Sequence, residues 1–88
     1  MPTFLVESYE PRGRGHDPAE LEARARAAAR ACGGRYVRSI LTPDDELCLS
    51  MFEAPSREEL QRAALAAGIS AVHVSVASEL ADDGGGER

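Results

Sequence analysis

Two histidines and a scatter of carboxylates are the residues of this chain best able to hold a metal ion or exchange a proton near neutral pH. His73 stands in AVHVSV, residues 71–76, flanked by valines in an alternating run. A neutral imidazole ligates a transition metal through either ring nitrogen, and a neighbouring carboxylate would complete a nitrogen and oxygen donor pair. Glu7, in TFLVESY, is the carboxylate that strand pairing can bring to it. His16, in PRGRGHDP, is a third donor that a loop can carry to the same place. The competing readings are plain ones: His73 hydrogen-bonded across a sheet or subunit interface, and His16 exposed on its loop. Acid and base work by His73 stays open as well.

Other clusters carry less. Arg12, Arg14 and the amides before the first helix could hold an anion, but Asp17 occupies the cap and repels one. The GRG spacing matches no phosphate-binding loop. Asp44, Asp45 and Glu46 form an acidic turn, and Glu53 closes a strand; solvated carboxylates account for both. Cys32 and Cys48 are too few and too distant for a structural zinc motif, so each reads as a small apolar residue. No serine sits in a nucleophile-elbow context and no Cys–His spacing suggests covalent catalysis, so no catalytic residue is assigned. Whether the protein is an enzyme stays open.

The elements that must position these groups are marked locally. Residues 3–9 alternate as a first strand. Asp17 as cap, Pro18 at the first helical position and Glu20 open a helix whose inner stripe is Leu21, Ala25, Ala28 and Cys32, stopped by Gly33-Gly34. Glu20–Arg24 and Glu22–Arg26 have the spacing of helix ion pairs. Residues 35–42 form a second strand, PDDE turns the chain, and residues 47–54 return as a third. Ser56 with Glu59 is a capping box for a second helix, which carries Leu60, Ala63, Ala64 and Ala67 inward and ends at Gly68. A fourth strand begins at Ala71 and runs to about Ser78. Order β-α-β-β-α-β gives an α+β, ferredoxin-like fold: a four-stranded antiparallel sheet with two helices on one face. Residues 1–80 are read as the domain and 81–88 as a disordered tail.

Alternation then assigns faces. Phe4, Val6, Val37, Leu41, Leu47, Leu49, Met51, Val72, Val74 and Val76 are expected under the helices. The opposite face is expected to carry Leu5, Glu7, Tyr9, Tyr36, Arg38, Ile40, Cys48, Ser50, Phe52, His73 and Ser75. Its mixture of large apolar and polar groups suits a subunit interface. Two copies packed sheet to sheet, as a dimeric α/β barrel, would cover Leu5, Ile40 and Phe52 and leave polar groups around a shared cavity. Tyr36, Arg38 and Ser50 are the candidates to line that cavity around a small molecule.

Composition excludes partners more firmly than it names them. All ten cations are arginine in a chain of net charge −5, which gives no general attraction to nucleic acid or anionic membrane. No window approaches a membrane span, and the first residues lack a basic segment ahead of an apolar run, so a cytoplasmic location is expected.

The segments MPTFLVESY (1–9), RYVRSILTPDDELCLSMFEAPSREEL (35–60) and AAGI (66–69) resemble a family of small actinobacterial proteins of unknown function typified by a nickel-binding ferredoxin-like protein. The resemblance covers about residues 1–79 and implies a ferredoxin-like fold, a homodimer and binding of nickel or another divalent transition metal. Glu7, His73 and His16 are the ligands this chain offers. The resulting expectation is a small, non-catalytic metal-binding homodimer. The alternative is a dimeric α/β-barrel binder or enzyme, monooxygenase- or isomerase-like, that uses the cavity on the helix-free face.

Overall fold

A computed structural model of the protein describes residues 1–11 and 17–78, so His16, Arg12, Arg14 and the tail lie outside the described residues. Strand β1 (Thr3–Tyr9) leads to helix α1 (Pro18–Ala31), strand β2 (Arg35–Thr42), a 3-10 turn (Pro43–Asp45), strand β3 (Leu47–Glu53), helix α2 (Arg57–Ala66) and strand β4 (Ala71–Val76). The order across the sheet is β2-β3-β1-β4, and every neighbouring pair is antiparallel. This is the α+β, ferredoxin-like arrangement expected from the order of elements.

The helix ends follow the residues that mark them. Asp17 accepts from the Ala19 amide at 3.1 Å, and Ser56 Oγ accepts from the Glu59 amide at 3.2 Å, each satisfying a donor that the first helical turn leaves open. Both helices finish in a Schellman arrangement. Gly33, at φ 72°, donates to the Arg30 carbonyl while Gly34 donates to Ala29 at 2.8 Å; Gly68, at φ 87°, donates to Leu65 while Ile69 donates to Ala64 at 2.9 Å. Gly34 has a second duty: a Cβ there would overlap the Glu53 carbonyl oxygen, so the chain enters β2 pressed against the end of β3. The expected pairs Glu20–Arg24 and Glu22–Arg26 form at 2.9 Å each.

The core lies between the helices and one face of the sheet. Phe4, Val6, Phe52, Ala54 and Val74 meet Ala25, Ala28, Ala29, Leu60 and Ala63. Most of the helical contribution is alanine, which lets the helices sit close to the sheet, and small residues beneath them are then favoured over bulky ones.

That closeness explains one correction. Cys48, Ser50 and Phe52 face the helices, opposite Ser8, Val6 and Phe4 of β1, and all six are buried. Leu47, Leu49 and Met51 occupy the open face, the reverse of the sequence expectation. A second correction follows from a bulge. Register shifts between Tyr36 and Arg38, so Tyr36 aligns with Phe52 on the helix side while Arg38 and Ile40 align with Met51 and Leu49 on the open face. Tyr36 packs edge-on to Phe52, with ring centroids 5.7 Å apart. Phe52, Ser50, Cys48 and Tyr36 are therefore no part of the helix-free face.

Candidate functional site

The helix-free face is built from Leu5, Glu7 and Tyr9 of β1, Leu47, Leu49, Met51 and Glu53 of β3, Arg35, Arg38 and Ile40 of β2, and His73 and Ser75 of β4. Leu5, Leu49, Met51 and Ile40 make its centre apolar. Neither helix touches this side, because both pack against the buried face.

At the β1–β4 side of this face, Glu7 and His73 are direct cross-strand partners. Cβ atoms of such pairs stand about 4.5–5.5 Å apart, close enough for an imidazole nitrogen and a carboxylate oxygen to share one ion. Glu7 is half-buried and His73 exposed. Neither side chain has a hydrogen bond or ion pair with a described residue, so both donors are available to a ligand. A bulge follows immediately, between Glu7 and Ser8. Among the described residues no three His, Cys, Asp or Glu side chains converge as a complete metal site, so one chain offers two donors here. Imidazole nitrogen and carboxylate oxygen suit nickel(II) or a similar divalent ion. His16 lies outside the described residues.

The three small-molecule candidates separate. Tyr36 and Ser50 lie on the helix side, joined through Ser39, which sequence reasoning did not select. Tyr36 donates its hydroxyl to Ser39 Oγ at 2.8 Å, and Ser39 and Ser50 share a hydroxyl hydrogen bond at 2.7 Å. Cys48 Sγ lies 3.7 Å from Ser50 Oγ, and Ser8 donates to the Cys48 carbonyl at 3.3 Å. These groups sit beside a cleft of about 340 Å³ between α1 and β2. Arg38 belongs to the open face by register and borders the rim of this cleft. This cleft thus lies on the side of the sheet away from Glu7 and His73.

The remaining candidates have structural roles. Glu53 receives two hydrogen bonds from Arg35, at 3.1 and 3.0 Å. These bonds and the adjacent guanidinium charge hold its carboxyl below the usual carboxylate range. Sequence reasoning missed this pair, although opposite charges near the two ends of a hairpin were a visible signal. In the acidic turn, Glu46 takes the left-handed conformation at φ 57° and accepts from the Tyr9 hydroxyl at 3.2 Å. Both cysteines are free thiols, Cys32 half-buried and Cys48 buried.

No family model matches the chain, and no curated protein does. Among solved structures, the crystal structure of SCO4226 from Streptomyces coelicolor A3(2) is similar, with a TM-score of 0.69 at 18% identity over 90% of this chain and 99% of that one. At that identity the likeness extends to the fold. No helix among the described residues is long and apolar enough to cross a membrane.

Proposed function

We propose that the protein is a non-catalytic homodimer, joined through the helix-free face, that binds a divalent transition metal such as nickel through Glu7 and His73 of each copy. The observation that carries this reading is the direct pairing of Glu7 with His73, two donors whose side chains have no partner among the described residues, on a face that neither helix covers. The two-fold operator of a dimer repeats every group near its axis, so two donors per chain become four. The reversed phase of β3 supports the interface: Leu47, Leu49 and Met51 point away from the helices, where burial of their apolar surface against a second copy stabilises association. Expected cellular location is the cytoplasm, where both thiols stay reduced.

In this reading the chain holds the ion and does not activate a substrate. Glu7 supplies a carboxylate oxygen from a half-buried position, and His73 supplies a ring nitrogen from an exposed one. Calorimetric titration with nickel(II) tests the proposal on wild-type protein and on His73→Ala. Heat of binding in the wild type and its loss in the variant are expected; no heat in the wild type, or the same heat in both, refutes it.

A further inference from the structure

The helix side of the sheet holds an arrangement that a core does not require. Where the strands meet the outer half of α1, the inward positions of β2 and β3 carry Tyr36, Ser39, Cys48 and Ser50, and the hydroxyls form one connected chain. Ser39, between Tyr36 and Ser50 in that chain, is exposed at the α1–β2 cleft, whose apolar walls include Leu21, Val37 and Leu41. At about 340 Å³ this cleft falls within the range of small-ligand sites, roughly 300–1,000 Å³.

Tyr36 also borders a second, smaller cleft of about 180 Å³, lined by Arg26, Ala29, Arg30, Gly34 and Arg35. Three guanidinium groups line this cleft, and Glu22 lines the larger one beside it. The Arg26 guanidinium lies 5.1 Å from the centre of the Tyr36 ring, so charge is held against the aromatic wall. Arg26 is paired with Glu22 and Arg35 with Glu53, which leaves the Arg30 guanidinium, whose side chain has no hydrogen bond or ion pair among the described residues, as the excess positive charge. Guanidinium groups recognise carboxylates through two parallel hydrogen bonds, a geometry that an ammonium group cannot reproduce.

We propose that the two clefts flanking Tyr36 form one binding site for a small aromatic carboxylic acid. Its ring lies in the larger cleft against Leu21 and Leu41, a polar ring substituent meets the Ser39 hydroxyl, and its carboxylate meets Arg30 and Arg26. This site is separate from Glu7 and His73, on the other side of the sheet, and stands whether or not those residues hold a metal.

The test is an NMR titration of the isotope-labelled full chain with 4-hydroxybenzoate, beside phenol and inorganic phosphate as partial probes. Saturable shifts at the amides of Leu21, Arg30 and Ser39 are expected for 4-hydroxybenzoate at millimolar concentration. Arg30→Gln and Ser39→Ala, both at exposed positions and checked for folding by the same spectra, should each weaken binding; for Arg30→Gln the loss is about tenfold, the share of one charge-assisted hydrogen bond. Phenol and phosphate should each bind more weakly than the acid. The proposal is overturned by an absence of saturable shifts, by phosphate or phenol binding as well as 4-hydroxybenzoate, or by unchanged affinity in Arg30→Gln.

Discussion

Replacing Phe52 by alanine tests which side of β3 the fold buries. Phe52 is fully enclosed, at 0% exposure, and its ring meets Tyr36 edge-on at an interplanar angle of 60°. Truncating such a residue costs about 3–5 kcal/mol in lost burial and residual cavity. The edge-to-face pair supplies about 0.5–1.5 kcal/mol of that total. At roughly 0.05–0.15 kcal/mol per residue, a domain of this length has only about 4–13 kcal/mol to lose. Phe52→Ala therefore removes a large share of the stability, and at the lower end of that range it unfolds the chain at room temperature. Phe52→Leu, which keeps most of the volume, should lose about 1–2 kcal/mol and keep the transition measurable. Met51→Ala, one residue away on the open face, should cost the monomer less, about 1 kcal/mol or below, and chiefly weaken self-association. Urea unfolding at concentrations where sedimentation shows the monomer gives the comparison. A cost for Met51→Ala equal to or above that of Phe52→Leu would refute the assignment of faces.

Two further outcomes follow from local contacts. Gly34→Ala pushes a methyl group onto the Glu53 carbonyl and against Ala54 and Cys32, at 3.2 and 3.3 Å. Overpacking of this kind costs about 1–3 kcal/mol, read as a lower urea midpoint with an unchanged slope, and a neutral result would contradict the close approach. For Glu53, whose folded carboxyl titrates below its unfolded value because of Arg35, the pair's contribution is complete above the unfolded carboxylate range and disappears as pH falls through the depressed folded value. Carboxyl NMR should show Glu53 titrating higher in Arg35→Gln; an unchanged titration would show that the pair does not form in solution.

What the sequence made legible were the features written in consecutive residues. Asp17-Pro18, Ser56 with Glu59, Gly33-Gly34 and Gly68 mark ends by backbone requirements that are local, and the structure uses each of them. Glu7 and His73 could be placed on one face because Phe4 and Val6 on one strand, and Val74 on the other, fix the phase of their neighbours. In β3 both phases carry apolar residues, so alternation alone favoured the bulkier set, and only the pairing with β1 decides. The bulge in β2 was equally hidden. Counted outward from the turn along an unbroken ladder, Arg35 would oppose Ala54 and Tyr36 would oppose Glu53. The extra residue moves Arg35 onto Glu53 and Tyr36 onto Phe52, creating the ion pair and the aromatic contact together. Ser39 opposes Ser50 on the unbroken part of the ladder, but its hydroxyl meets Tyr36 only because the bulge turns Tyr36 to the same face.

Anomalous diffraction at the nickel absorption edge, from a crystal of the protein soaked in nickel(II), tests the proposed function most directly. An anomalous peak is expected bonded to a ring nitrogen of His73 and to the Glu7 carboxylate, at a contact between the helix-free faces of two copies. A peak elsewhere, such as at the Asp44-Asp45 turn, or no peak at His73, would contradict it.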